Sequence, residues 1–125
     1  MSYQKRIQYH AIFHYEDHSD HIHYDTIASY HKGKKTTLSF HIPEMDIVLS
    51  YQDNQIDLKN NQSFLKLDLN QETYNHYRTP YGDILLKIKT LLFEANDQHI
   101  KLKYELYDQS QLLNTVYILI TLKDC

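Results

Sequence analysis

The sequence predicts an all-β protein, an antiparallel sandwich or barrel, and three observations carry that reading. The segment Ile100-Lys101-Leu102-Lys103-Tyr104-Glu105-Leu106 alternates apolar and polar residues without a break. Period-2 alternation sends one set of side chains to a core and the other to water, as in a half-buried strand. The pattern recurs along almost the whole chain, and short polar clusters interrupt it at regular intervals. With only two glycines available, Asn and Asp must supply the left-handed turn conformations.

Ten strands follow in order, at residues 3–16, 21–31, 36–42, 46–52, 55–59, 63–69, 72–79, 83–94, 99–107 and 113–123. Asp17-His18-Ser19-Asp20 and Lys32-Gly33-Lys34-Lys35 close the first two hairpins; Asp53-Asn54, Asn60-Asn61-Gln62 and Asn96-Asp97-Gln98 mark later turns. A four-residue loop at 17–20 would set His14 opposite His23 and Glu16 opposite His21. The other face is then coherently apolar, so Ile7, Tyr9, Phe13, Tyr15, Ile22 and Tyr24 are expected inside. Residues 83–93 also fit a helical stripe through Leu85, Ile88 and Leu92, but Ile84, Leu86, Ile88, Thr90 and Leu92 keep strand parity. The run 112–122 is apolar on both parities, which suits a strand covered on both faces or one whose outward Tyr117 and Leu119 meet a second copy.

Composition narrows the function classes. At 125 residues the chain suits one domain, residues 1–125. A formal charge of -3 with interspersed signs argues against a nucleic-acid partner. No apolar run is long enough to span a bilayer as a helix, and Gln4-Lys5-Arg6 interrupts any signal core, so no membrane partner is expected. Cys125 stands alone and has no internal disulfide partner, which fits a cytoplasmic location.

Tyr77-Arg78-Thr79-Pro80-Tyr81-Gly82 is the most specific segment. Thr79 is biased to extended geometry by the following proline, Pro80 fixes its own φ, and Gly82 admits a positive φ, giving a corner between two strands. With Thr90 and the alternating run 100–106, this corner resembles the YwiB-like family of small bacterial proteins. That resemblance implies a single antiparallel calycin-like (lipocalin-like) β-barrel and brings no activity, cofactor or catalytic residue with it. The chain departs from the family pattern at Lys59-Asn60-Asn61, where an Arg-x-Gly turn is usual. It also lacks a glycine near Ala28 and has a shorter link, with Pro43, between Phe40 and Val48.

Two constellations deserve weight. A barrel of this size can enclose a small ligand, and aromatic residues of the wall would face it. The candidate ligand-binding residues are Tyr24, Tyr74, His76, Arg78, Tyr81 and Tyr104, with Arg78 as an anion fork. A filled core with tyrosine hydroxyls at the rim is the plainer alternative. His14, Glu16, His21 and His23 form the surface candidate for a metal, against the simpler reading of a solvated hairpin face. No nucleophile elbow, phosphate loop or zinc-helix motif is present, so no catalytic residue and no cofactor is assigned. The reading adopted is a non-enzymatic binding barrel for a small amphipathic or aromatic ligand. A protein-interaction or homodimeric module with a filled core is the alternative.

Overall fold

A computed structural model describes residues 2–61 and 63–125; for Ser2, Tyr77, Arg78 and Thr79 it describes the backbone alone. The alternation resolves into ten strands: β1 (Ser2–His14), β2 (Ser19–Lys32), β3 (Thr36–Ile42), β4 (Met45–Gln52), β5 (Gln55–Lys59), β6 (Phe64–Asp68), β7 (Thr73–Thr79), β8 (Gly82–Ala95), β9 (His99–Asp108) and β10 (Gln111–Asp124). No helix occurs among the described residues, so none is long and apolar enough to cross a membrane.

The strands form one antiparallel sheet in the order β6-β5-β4-β3-β2-β1-β10-β9-β8-β7, curled into a nearly closed barrel. Every neighbouring pair but one is a hairpin; the exception is β1 with β10, which joins the two ends of the chain. The seam lies between β6 and β7, where the Thr73 hydroxyl donates to the Lys66 carbonyl at 2.6 Å. Inward residues such as Ile7, Leu38, Leu49, Ile88, Leu102 and Ile120 are at most 1% exposed and fill the barrel from wall to wall.

The turns follow the expected chemistry. Asp53 takes a positive φ of 55° in the two-residue β4–β5 turn, and Gln109 one of 58° in the β9–β10 turn. Asn96 Oδ1 accepts from the amides of Gln98 and His99, and Asn60 Oδ1 from that of Ser63. Such side-chain capture of turn amides is what lets Asn replace glycine. The Thr-Pro corner is the β7–β8 hairpin, with Pro80 and Tyr81 at its tip and Gly82 at φ 122°.

Three expectations are corrected. The first hairpin pairs His10 with His23, Ile12 with His21 and His14 with Ser19, because its loop is Tyr15-Glu16-Asp17-His18, closed by Tyr15 N–H to His18 C=O at 2.8 Å. The shift is an even number of residues, so the faces survive while the partners change. Tyr15 accordingly leaves the interior and stacks on His18, ring centroids 4.7 Å apart. The parity of β8 also fails past Thr90: a bulge at Leu91 turns Phe93 and Ala95, not Leu92, toward the core.

Leu102 is fully enclosed on the central row of β9. Leu102→Ala should therefore cost about 2–5 kcal/mol in denaturant-unfolding stability. A loss below about 1 kcal/mol would mean the barrel collapses into the space.

Candidate functional site

Strand directions sort the turns between two ends of the barrel. One end carries the loops 15–18, 43–44, 80–81 and 109–110 and the turn residues Asn60, Asn61 and Ser63. The other carries 33–35, 53–54, 69–72 and 96–98 together with both chain ends.

The second end is plugged. Lys5 lies on the inward parity of β1 and is 7% exposed. Its ammonium sits 5.3 and 5.6 Å from the ring centroids of Tyr3 and Tyr30 and 2.8 Å from Asp124 Oδ1. The hydrogen bond to Asp124 leads in holding Lys5 above its ordinary pKa. Beside it the phenol of Tyr51 lies near that of Tyr30, and Asp97 takes Lys32 at 2.8 Å. Burial foremost, then Tyr30, pushes the Tyr51 phenol well up. A shallow recess of about 450 Å³ opens outside this plug between Tyr51, Phe93, Thr36 and Lys34.

The first end is different. Six of the partly buried residues packed on the core, Phe13, Ile22, Tyr24, Met45, Leu58 and Leu106, belong to strand segments beside its loops and form an apolar mouth, while Tyr51, Phe93 and Ala95 lie at the plugged end. Just inside lie Tyr9, tilted against Phe40 with centroids 5.3 Å apart, and Tyr104, 4% exposed. Burial pushes the Tyr9 phenol up to about 12, with the Glu44 carboxylate as the lesser cause. Burial raises Tyr104 further, with Tyr9 and Tyr15 adding to it. At the rim the Tyr24 hydroxyl donates to Glu44 Oε1 at 2.5 Å.

Two polar oxygens in this half stand out. Thr90, 7% exposed, and Asn114 each bury a side-chain oxygen, Oγ1 and Oδ1, that has no hydrogen-bond partner among the described residues. Both share the inward parity of their strands, beside the buried Ile88 and Val116. Thr90 and Val116 flank Tyr104 across β8, β9 and β10, and Asn114 pairs with the next inward residue, Leu106. Each stands next to a bulge, at Leu91 and at Leu113, whose extra leucine is thrown outward, 41% and 39% exposed. Native interiors almost always satisfy buried oxygens, so two unpaired ones on one wall patch require an account.

The rim is acidic. The loops of this end and the two residues on either side of each hold Glu16, Asp17 and Asp20 on the first, Glu44 and Asp46 on the second, and Asp83 and Asp108 on the last two. Lys59 and Arg78 are the lysine and arginine of this rim, and the imidazoles of His18 and His41 lie against Asp17 and Asp46.

Of the six ligand-binding residues expected from the sequence, Tyr24 and Tyr104 belong to this mouth. Tyr74, His76 and Tyr81 do not: Tyr74 is 60% and Tyr81 fully exposed, and His76 lies on the same outer face of β7. The side chain of Arg78 lies outside the described residues. The histidine patch is likewise dispersed. His23 stacks on His10 at 4.0 Å and meets Asp25 at 3.3 Å, His14 bonds Ser19 at 2.7 Å, and no group of three metal-ligating side chains gathers among the described residues. Sequence reading missed Thr90 and Asn114 as site residues; polar side chains at inward parity were the available signal. Lys5 carried the same signal at the other end.

The fold is thus a nearly closed ten-stranded antiparallel barrel with one end plugged and an apolar mouth at the other. The chain belongs to the family described as "Domain of unknown function (DUF1934)", whose model matches residues 7–120. Its structure is similar to that of the YwiB protein from Bacillus subtilis, with a TM-score of 0.71, 13% identity, and coverage of 96% of this chain and 92% of that one. No curated protein matches.

On the rim, a hydrogen bond to Asp17 at 2.6 Å raises the His18 pKa and lowers that of Asp17. His18 should therefore titrate above the ordinary ~6.5 in an NMR pH series, and Asp17→Asn should bring it back. Because the folded pKa is the higher one, this pairing stabilises the loop fully below the ordinary value and is lost as pH rises through the raised value.

Proposed function

We propose that the protein binds a small amphipathic ligand in the open half of the barrel, its polar head against Thr90, Asn114 and Tyr104 and its apolar body along the mouth. The observation that carries this reading is the pair of unpaired buried oxygens on one patch of wall, each beside a bulge. An unsatisfied buried oxygen costs about 1–3 kcal/mol, and bulges gather where a wall is re-aimed toward a site. The half-buried apolar rim supplies the path a hydrocarbon needs.

Function and stability should then pull in opposite directions at Thr90. Thr90→Val keeps the shape and removes the stranded oxygen, so it should raise unfolding stability by about 1 kcal/mol. Native mass spectrometry of the untagged wild type should show a discrete mass that is lost on denaturation, and Thr90→Val should lose it. A bare wild-type mass together with a destabilised Thr90→Val would assign the oxygen to a structural water and sink the reading.

A second reading has its own observation. Tyr74, Leu85, Leu112 and Leu113 are all at least 39% exposed on the outer wall of β7, β8 and β10. Such a cluster suits an isologous contact with a second copy of the chain. Light scattering across a concentration series should show a dimer that Leu85→Lys dissociates; a monomer at every concentration would remove this reading.

A further inference from the structure

Away from the mouth, the outer wall of β1, β2 and β10 carries a groove of its own. We infer that the protein binds a small organic phosphate monoester there, its phosphoryl group held by Arg6 and Lys123 and its organic part lying on Ile27.

The strand register builds the site. Two rows of outward side chains cross the wall, Ile27, Arg6 and Lys123 in one and Asp25, Gln8 and Thr121 in the next. A groove of about 510 Å³ lies between these rows, with the cross-strand pair Ile7 and Thr26 along its floor. Arg6 opposes Lys123 and Gln8 opposes Thr121, so these four residues mark the corners of a rectangle. Its short side is the Cβ spacing of opposed residues, about 4.5–5.5 Å, and its long side the two-residue rise of a strand, about 7 Å. One group seated in the groove is within reach of all four side chains.

Charge marks what that group is. Arg6 and Lys123 are exposed like charges placed directly opposite each other, an arrangement that destabilises a sheet. Among the described residues neither takes part in an ion pair, whereas Lys5, Lys32, Lys35 and Lys87 all do. The nearby carboxylates are engaged elsewhere. Asp124, next in sequence to Lys123, is taken by Lys5 at 2.8 Å. Asp25 meets His23 Nε2 at 3.3 Å. His23 lies on the far side of Asp25 from Ile27 and Arg6, so this contact draws the carboxylate away from the guanidinium. A dianion between Arg6 and Lys123 answers both cations at once.

Phosphate chemistry fits the donors. A phosphate monoester carries about −1.5 to −2 charges near neutral pH and three strong acceptor oxygens; a carboxylate carries a single charge. Arg6 presents a fork of N–H donors and Lys123 a point charge, and both suit phosphate. The Gln8 amide and the Thr121 hydroxyl supply neutral donors from the opposite wall of the groove. Ile27, 51% exposed beside Arg6, offers the organic part an apolar surface that inorganic phosphate would leave uncovered.

Calorimetric titration with phenyl phosphate, inorganic phosphate and benzoate, at matched ionic strength, tests the site. Phenyl phosphate should bind at least about tenfold more tightly than benzoate, a difference of about 1.4 kcal/mol, and more tightly than inorganic phosphate. Arg6→Gln and Lys123→Gln should each weaken it at least about tenfold, and Ile27→Ser should bring it down to the level of inorganic phosphate. Lys101→Gln, on β9 opposite Leu119 and outside the groove, should leave it unchanged. In denaturant unfolding Lys123→Gln should be at least as stable as the wild type, since it removes a like-charge pair, and its lost binding is then not lost folding. Benzoate binding as tightly as phenyl phosphate would overturn the phosphate, and inorganic phosphate binding as tightly would overturn the ester. Equal weakening by Lys101→Gln would reduce the effect to surface charge and overturn the site, as would no binding at all.

Discussion

The barrel depends on β1 being hydrogen-bonded along both edges. From Ser2 to His14 it is paired with β2, and from Lys5 to His14 with β10. The β2 ladder is local, but the β10 ladder joins residues as much as 119 positions apart, Lys5 and Asp124. All other ladders are hairpins whose ends are brought together at small entropic cost. Only the β1–β10 pairing converts two runs of hairpins into one curved wall, and it encloses Ile7, Tyr9 and Ala11 opposite Ile118, Ile120 and Leu122. Its long sequence separation makes it the slow contact to form.

The fold was legible because parity is robust. All ten strands were readable from alternation, and the faces of the first hairpin came out correctly for Ile7, Tyr9, Phe13, Ile22 and Tyr24 despite a wrong set of partners. Burial depends only on odd against even, whereas partner identity depends on where the loop closes, and Tyr15-Glu16-Asp17-His18 closes as well as Asp17-His18-Ser19-Asp20 on composition alone. The candidate site was less legible. Tyr104 and Tyr24 were found by type, but Tyr74 and Tyr81 are equally aromatic and stand in solvent. The bulges at Leu91 and Leu113 could not be anticipated, since an extra leucine in an apolar run leaves no mark in the pattern.

The two ends of the barrel show how the same parts serve different purposes. At the plugged end Lys5 is answered by Asp124 and two rings, and Asp97 by Lys32. At the open end the rim is answered, Tyr24 by Glu44, while the interior oxygens are not. The two stranded oxygens therefore place a local cost in the half of the barrel that ends at the apolar mouth.

The seam between β6 and β7 has a consequence for how the chain is threaded. The covalent break in the molecule, between its two ends, falls beside its longest-range ladder, where Lys5 and Asp124 touch. The break in the hydrogen-bonded wall falls instead at Leu69-Asn70-Gln71-Glu72, in the middle of the sequence. The two interruptions are on different parts of the circumference. A circular permutant joined at the present termini and opened at residues 69–72 would keep every ladder, and in it the slow β1–β10 closure would become an ordinary hairpin.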